Sequence, residues 1–231
     1  MSVSLYSDTF AKKSPDRMLD IRLVGALSGC YSLSSRRDAG AEVVQVFACR
    51  LQSISTRSAV LNGPVVGEIG ERVATKFDQF PVLAGIISRV FDGGFAIDLV
   101  VDDKERTELA AKIDWIKKNR FKSTKDKRRH KRVMPPNPQS AITLPDGTVL
   151  ECFVIDVSSS GVAISADTMP SIGTRLAVGR AVGSVARHLE TGFAVALDEL
   201  LDLDNLDPIF QWSLSYVTKD GDAAEAGDSG P

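Results

Sequence analysis

From Ile21 onward the chain runs in short stretches of alternating apolar and polar residues, each closed by glycine, proline, aspartate or serine. That is the pattern of half-buried β-strands. It predicts strands over residues 21–35, broken by Gly25 and Gly29, and over 42–53, with a turn at Arg37-Asp38-Ala39-Gly40 between them. Further strands are predicted over 59–61, 72–74, 82–91 and 95–101, the last two joined by a hairpin turn at Asp92-Gly93-Gly94. The period then changes. Leu109, Ile113 and Ile116 fall on one stripe of a helix spanning 104–119, with Asp102 and Asp103 at its N-cap. Residues 120–127 are polar and basic with no apolar period, which reads as a linker. A second β series covers 140–144, 148–157, 162–165, 175–178, 182–187 and 193–197, with a turn at Pro145-Asp146-Gly147. A closing helix is predicted within 199–212, interrupted or initiated near Pro208. Short strands at this spacing point to small barrels.

The two series are one unit written twice. Residues 49–58 align with 152–161, and Ile69-Gly70-Glu71-Arg72 aligns with Ile172-Gly173-Thr174-Arg175 at the same offset. After a five-residue difference, 85–89 matches 183–187, and Gly94-Phe95-Ala96-Ile97 matches Gly192-Phe193-Ala194-Val195. A period of about 100 residues is that of a duplicated domain, not of a solenoid.

Composition narrows the function classes. With 43% apolar and 25% charged residues the chain is of globular type. The longest apolar stretch, 81–91, is broken by Ser88 and Arg89 and is too short to span a bilayer. The N-terminus has no apolar signal core, so the chain is expected in the cytoplasm. Cys30, Cys49 and Cys152 are odd in number and far apart, and read as small buried hydrophobes. With only His130 and His188 beside them, neither a metal cluster nor a nucleophile with its base stands out, and no enzyme or cofactor is expected. Charge is the sharper signal. Between Lys117 and Arg132 lie ten Lys/Arg and one Asp, a local +9 in a chain of net −2, which leaves −11 elsewhere. One basic segment on an acidic body suits a compact anionic partner.

Two pieces give that partner a shape. Arg128-Arg129-His130-Lys131-Arg132 reads as R-x-x-x-R, and Asp156-Val157-Ser158-Ser159-Ser160-Gly161 reads as D-x-S-x-x-G at the end of a strand. Guanidinium forks can pair bidentately with phosphate or with the O6/N7 edge of guanine, and can stack on its face. A carboxylate such as Asp156 can accept both N–H donors of guanine's Watson–Crick edge. Ser158 adds a hydroxyl able to donate to phosphate, and Gly161 allows a positive φ or a close backbone approach.

These pieces, in this order, resemble the two halves of the ligand site of the PilZ domain family. The resemblance implies a ligand, the bacterial second messenger cyclic di-GMP, held on the outside of a six-stranded antiparallel barrel by Arg128, Arg129, Arg132, Asp156, Ser158 and Gly161. It implies a mainly β chain of two tandem six-stranded antiparallel PilZ-like β-barrels, each followed by a helix. The expected domains are an N-terminal segment (1–19), a degenerate barrel with its helix (20–120), a PilZ domain with ligand motifs (121–217) and a disordered tail (218–231).

In the first copy Ser53, Ser55 and Ser58 stand where the second has Asp156, Ser158 and Gly161, and no R-x-x-x-R precedes its first strand. It is expected to keep the fold without binding nucleotide, serving packing, dimerisation or contact with a protein target. Arg187 is matched by Arg89 in that copy, so a structural role is expected for it. Two other classes compete: a small-barrel nucleic-acid binder using residues 117–132, against which stands the lack of interleaved aromatics apart from Phe121, and a structural adaptor in which neither copy binds a ligand.

Overall fold

A strand with one apolar face can hide that face by curling its sheet into a closed barrel, which also leaves no open edge. The computed structural model describes residues 21–36, 44–119, 132–204 and 206–210, and in it this closure occurs twice. The first barrel holds β1 (Leu23–Leu33), β2 (Phe47–Ile54), β3 (Ser58–Asn62), β4 (Arg72–Phe77), β5 (Val82–Phe91) and β6 (Gly94–Leu99) in the order β1-β2-β3-β6-β5-β4. Helix α1 (Asp103–Asn119) follows it. The second holds β7 (Gln139–Thr143), β8 (Val149–Ser158), β9 (Gly161–Ala166), β10 (Arg175–Val178), β11 (Ala181–Leu189) and β12 (Gly192–Leu197) in the order β10-β11-β12-β9-β8-β7, with a single helical turn, α2 (Asp207–Phe210), after it. All pairings are antiparallel, and the two barrels belong to separate compact units.

Each barrel is filled from its own strands. In the first, Tyr31 packs against Phe47 and edge-on to Phe95, with ring centroids 5.5 and 5.2 Å away, and its hydroxyl donates to the Val65 carbonyl while accepting from the Val65 N–H. Leu109, Ile113 and Ile116 of α1 join this core, as the helical stripe predicts. The helix starts where two donors are satisfied reciprocally: Glu105 N–H donates to Asp102 Oδ1 at 2.7 Å, and Asp102 N–H donates to Glu105 Oε2 at 2.9 Å. In the second barrel Phe193, Val154, Ile164 and Val195 fill the interior, joined by Leu206 and Phe210.

The repeat extends to single hydrogen bonds. Ile87 N–H donates to Glu71 O at 2.9 Å, and Val185 N–H donates to Thr174 O at 2.9 Å; Leu99 N–H reaches Arg57 O at 2.8 Å, and Leu197 N–H reaches Ser160 O at 3.0 Å. Bulges recur as well. The β2–β3 register shifts between Leu51 and Ser53 as β8–β9 does between Val154 and Asp156, and β5–β6 shifts between Ile87 and Arg89 as β11–β12 does between Val185 and Arg187.

Two expectations need correction. β1 is not broken at Gly25 and Gly29 but runs from Leu23 to Leu33: Gly25 lies within a bulge, and Gly29 lets β4 approach, a Cβ there meeting Lys76 O at 2.7 Å. β2 starts at Phe47 rather than residue 42, because Tyr31↔Phe47 is its last pair with β1 and residues 44–46 join no ladder. The closing helix lies within the expected range, at Asp207–Phe210 among the described residues. The chain before it is held by Leu201 N–H donating to Ser159 O at 2.7 Å, and Pro208, which lacks an N–H, sits at the helix start. The turn at 37–40, the linker at 120–127 and the tail lie outside the described residues.

Candidate functional site

The D-x-S-x-x-G segment forms the end of β8, a two-residue turn at Ser159-Ser160, and the start of β9. Past the bulge at Ile155, Val157 points into the barrel and is fully buried, so its neighbours Asp156 and Ser158 lie on the outer face, half-buried. The turn is anchored by its carbonyls: Ser160 O accepts from Leu197 and Ser159 O from Leu201. Ser158 Oγ donates to Gly161 O at 3.1 Å, so its hydroxyl closes its own turn. Gly161 does not use a positive φ. Its glycine is required by the next strand, since a Cβ would meet Val195 O at 2.9 Å.

The basic leader arrives on the far side of β8. Val133 pairs with Val157 in an isolated antiparallel bridge, with N–H···O distances of 2.8 and 2.9 Å. This puts Arg132 diagonal to Asp156, within reach of a long side chain. Arg132 Nη1 donates to both carboxylate oxygens, at 3.2 Å (Oδ1) and 3.0 Å (Oδ2). Arg132, Asp156, Ser158 and Gly161 therefore meet on one patch of outer wall, whereas Arg128 and Arg129 lie outside the described residues.

The matching turn of the first barrel is self-contained. Ser55 Oγ accepts from Arg57 and Ser58 N–H at 3.2 and 3.1 Å, and Ser53 brings no charge to the wall. Grooves elsewhere have other linings: one of about 490 Å³ between β5 and α1, and one of about 350 Å³ beside Val182 and Ile209.

Other chemistry is scarce. Burial pushes the Cys152 thiol up to about 12 and the Cys49 thiol well above its ordinary value, with Cys30 adding to the latter. Among the described residues no group of three or more His, Cys, Asp or Glu is placed to hold a metal ion, and no helix is long and apolar enough to cross a membrane.

One charged residue of this face was set aside in the sequence. Arg187, expected to be structural, is exposed, and its side chain makes no hydrogen bond or ion pair with another described residue. Register gives its place: Asp156↔Ala163, Ala163↔Ala194 and Ala194↔Arg187 form one row across four strands. The sequence conceals this row because the bulges before Asp156 and Arg187 shift the alternation.

Comparison with known proteins agrees with the motif. The sequence model of the PilZ domain matches residues 126–200. No curated protein matches the chain. Among solved structures, PlzA of Borreliella burgdorferi in complex with c-di-GMP is 12% identical, covering 84% of this chain and 94% of its own, with a TM-score of 0.27. YcgR of Escherichia coli, also in complex with c-di-GMP, is 12% identical over 75% of this chain and 76% of its own, with a TM-score of 0.24. A Legionella protein, Lpg0364, is 14% identical over 43% of this chain and 97% of its own, with a TM-score of 0.30. The match runs from the leader through β12, so residues 126–200 of this chain are a PilZ domain.

Proposed function

We propose that the protein is a receptor for cyclic di-GMP, which it binds on the outer wall of the second barrel through Arg128, Arg129, Arg132, Asp156, Ser158 and Gly161. One observation carries this reading: Arg132 and Asp156, 24 residues apart, converge beside the Ser158–Gly161 turn within the PilZ-matched segment. Arg132 and Asp156 serve as each other's counter-ion. A guanine offers Asp156 two donors and offers Arg132 an acceptor edge, so the ligand replaces an internal pair with two external ones.

Phosphate charge neutralises part of the charge of the basic leader. Because that leader joins the two units in sequence, ligand binding alters the domain arrangement and the surface offered to a protein target. That output would regulate motility, exopolysaccharide or related surface behaviour; the site itself makes and breaks no bonds. The first barrel, lacking the carboxylate, serves as scaffold, dimerisation surface or target contact.

Titration calorimetry with cyclic di-GMP, GMP and cyclic AMP tests the reading. Saturable binding of the cyclic dinucleotide, much weaker binding of the mononucleotides, and a loss of about 2–5 kcal/mol for Arg132→Ala or Asp156→Ala are expected. Equal binding of all three ligands would identify a generic phosphate attractor instead.

A further inference from the structure

Resting on that reading, we propose that Arg187 is a further ligand-binding residue, the cationic contact at the end of the site opposite Arg132. Asp156 and Arg187 each follow a bulge and end the same outward row, separated by Ala163 and Ala194. Three strand-to-strand steps set them about 14 Å apart along the wall. A dinucleotide ring with a base at Asp156 can therefore extend toward Arg187.

The surface between them is low. The adjacent row runs Ser158↔Gly161↔Ala196↔Ser184↔Arg175, so only glycine, alanine and serine stand between the charged ends, with Ala163 buried, Ala194 half-buried and Ala196 exposed. Of the described arginines at these rows, Arg132, Arg175 and Arg187, the first is paired with Asp156 and the second with Asp198 at 2.5 Å. Arg187 has no ion-pair partner among the described residues. The Arg132–Asp156 pair carries no net charge, and the other proposed cations, Arg128 and Arg129, belong to the leader, so apart from Arg187 these rows of the wall offer a two-phosphate ligand no other unpaired cation. Its guanidinium fork at the far end of the row supplies one.

The first barrel shows why an arginine alone does not make this site. Its corresponding rows are Ser53↔Val60↔Ala96↔Arg89 and Ser58↔Asp98↔Ile86↔Arg72. Arg89 keeps the place of Arg187. Val60 stands for Ala163, however, and Ile86 for Ser184, while Asp98 sets a carboxylate where Ala196 leaves neutral ground. A dianion over that wall meets bulk and like charge.

Calorimetry on the full chain with cyclic di-GMP, comparing wild type, Arg187→Ala, Arg89→Ala and Ala196→Asp, tests the proposal. Arg187→Ala is expected to weaken binding roughly tenfold to a hundredfold, the range of one charge-assisted contact. Arg89→Ala should bind as wild type. Ala196→Asp, at an exposed position whose counterpart is already aspartate, should keep its melting temperature and bind more weakly. If wild type binds and Arg187→Ala matches it, Arg187 makes no contact and the proposal is overturned. Ala196→Asp binding as wild type would likewise remove the ligand from this wall. A wild type that binds nothing would instead overturn the receptor reading itself.

Discussion

Arg132 and Asp156 retain 36% and 24% of their side-chain exposure, and an ion pair that open to solvent contributes only about 0–1 kcal/mol to folding. Removing either partner should therefore leave the thermal melt nearly unchanged, and a large drop would make the pair structural rather than functional. Gly161 behaves oppositely. Gly161→Ala would drive a methyl against Val195 O, so it should lower stability as well as binding, which parallel melts and titrations can separate. For the cysteines, burial raises Cys152 to about 12 and keeps Cys49 protonated, so a maleimide at pH 8 should leave both unlabelled until the chain unfolds. At this scale the sequence disclosed Asp156, Ser158 and Gly161 through their spacing. It did not disclose why each is there: Ser158 and Gly161 answer first to the turn and to β12, which only the paired strands reveal. The match of Arg187 to Arg89 likewise does not disclose which residues share its row, which the strand pairing gives.

At the scale of elements, alternation located the twelve strands well because in a closed barrel one face is uniformly buried. It located α1 better still, since its stripe and its capping residues agree. Ile113 is fully buried, and Ile113→Ala should destabilise the first barrel by about 2–5 kcal/mol, whereas Asp102→Ala, which loses only the cap, should cost about 1 kcal/mol in the same denaturation experiment. Glu71 links the end of β1 to the turn before β4. Partial burial pushes its carboxyl up, but hydrogen bonds from Ser35, the Glu68 N–H and Ser34 outweigh this and hold it below its ordinary value. A carboxyl depressed in the folded state stabilises above its unfolded pKa, and that contribution is lost as pH falls through the folded one. The stability gap between wild type and Glu71→Gln should thus be full at neutral pH and close in acid; a gap that widens in acid would contradict the assignment. Alternation could not show the bulges at Ile155 and Ala186, because an inserted residue breaks the period it is read from.

At the scale of the whole molecule, duplication is the organising fact. Two barrels share strand order and bulge positions, and differ on one outer wall where the second carries Asp156 above small residues. Ancestry gives both copies the platform, and local substitutions decide which can hold an anion. The basic segment that leads into the second barrel couples this wall to ionic strength, so ligand affinity should fall as salt is raised from about 0.05 to 0.5 M, through screening of its charges. The most direct test of the receptor reading is calorimetric titration of the full chain with cyclic di-GMP, beside Asp156→Ala. Saturable binding by the wild type, nearly abolished in a variant that melts at the same temperature, is predicted; equal affinity for the two proteins, or no binding by the wild type, would contradict it.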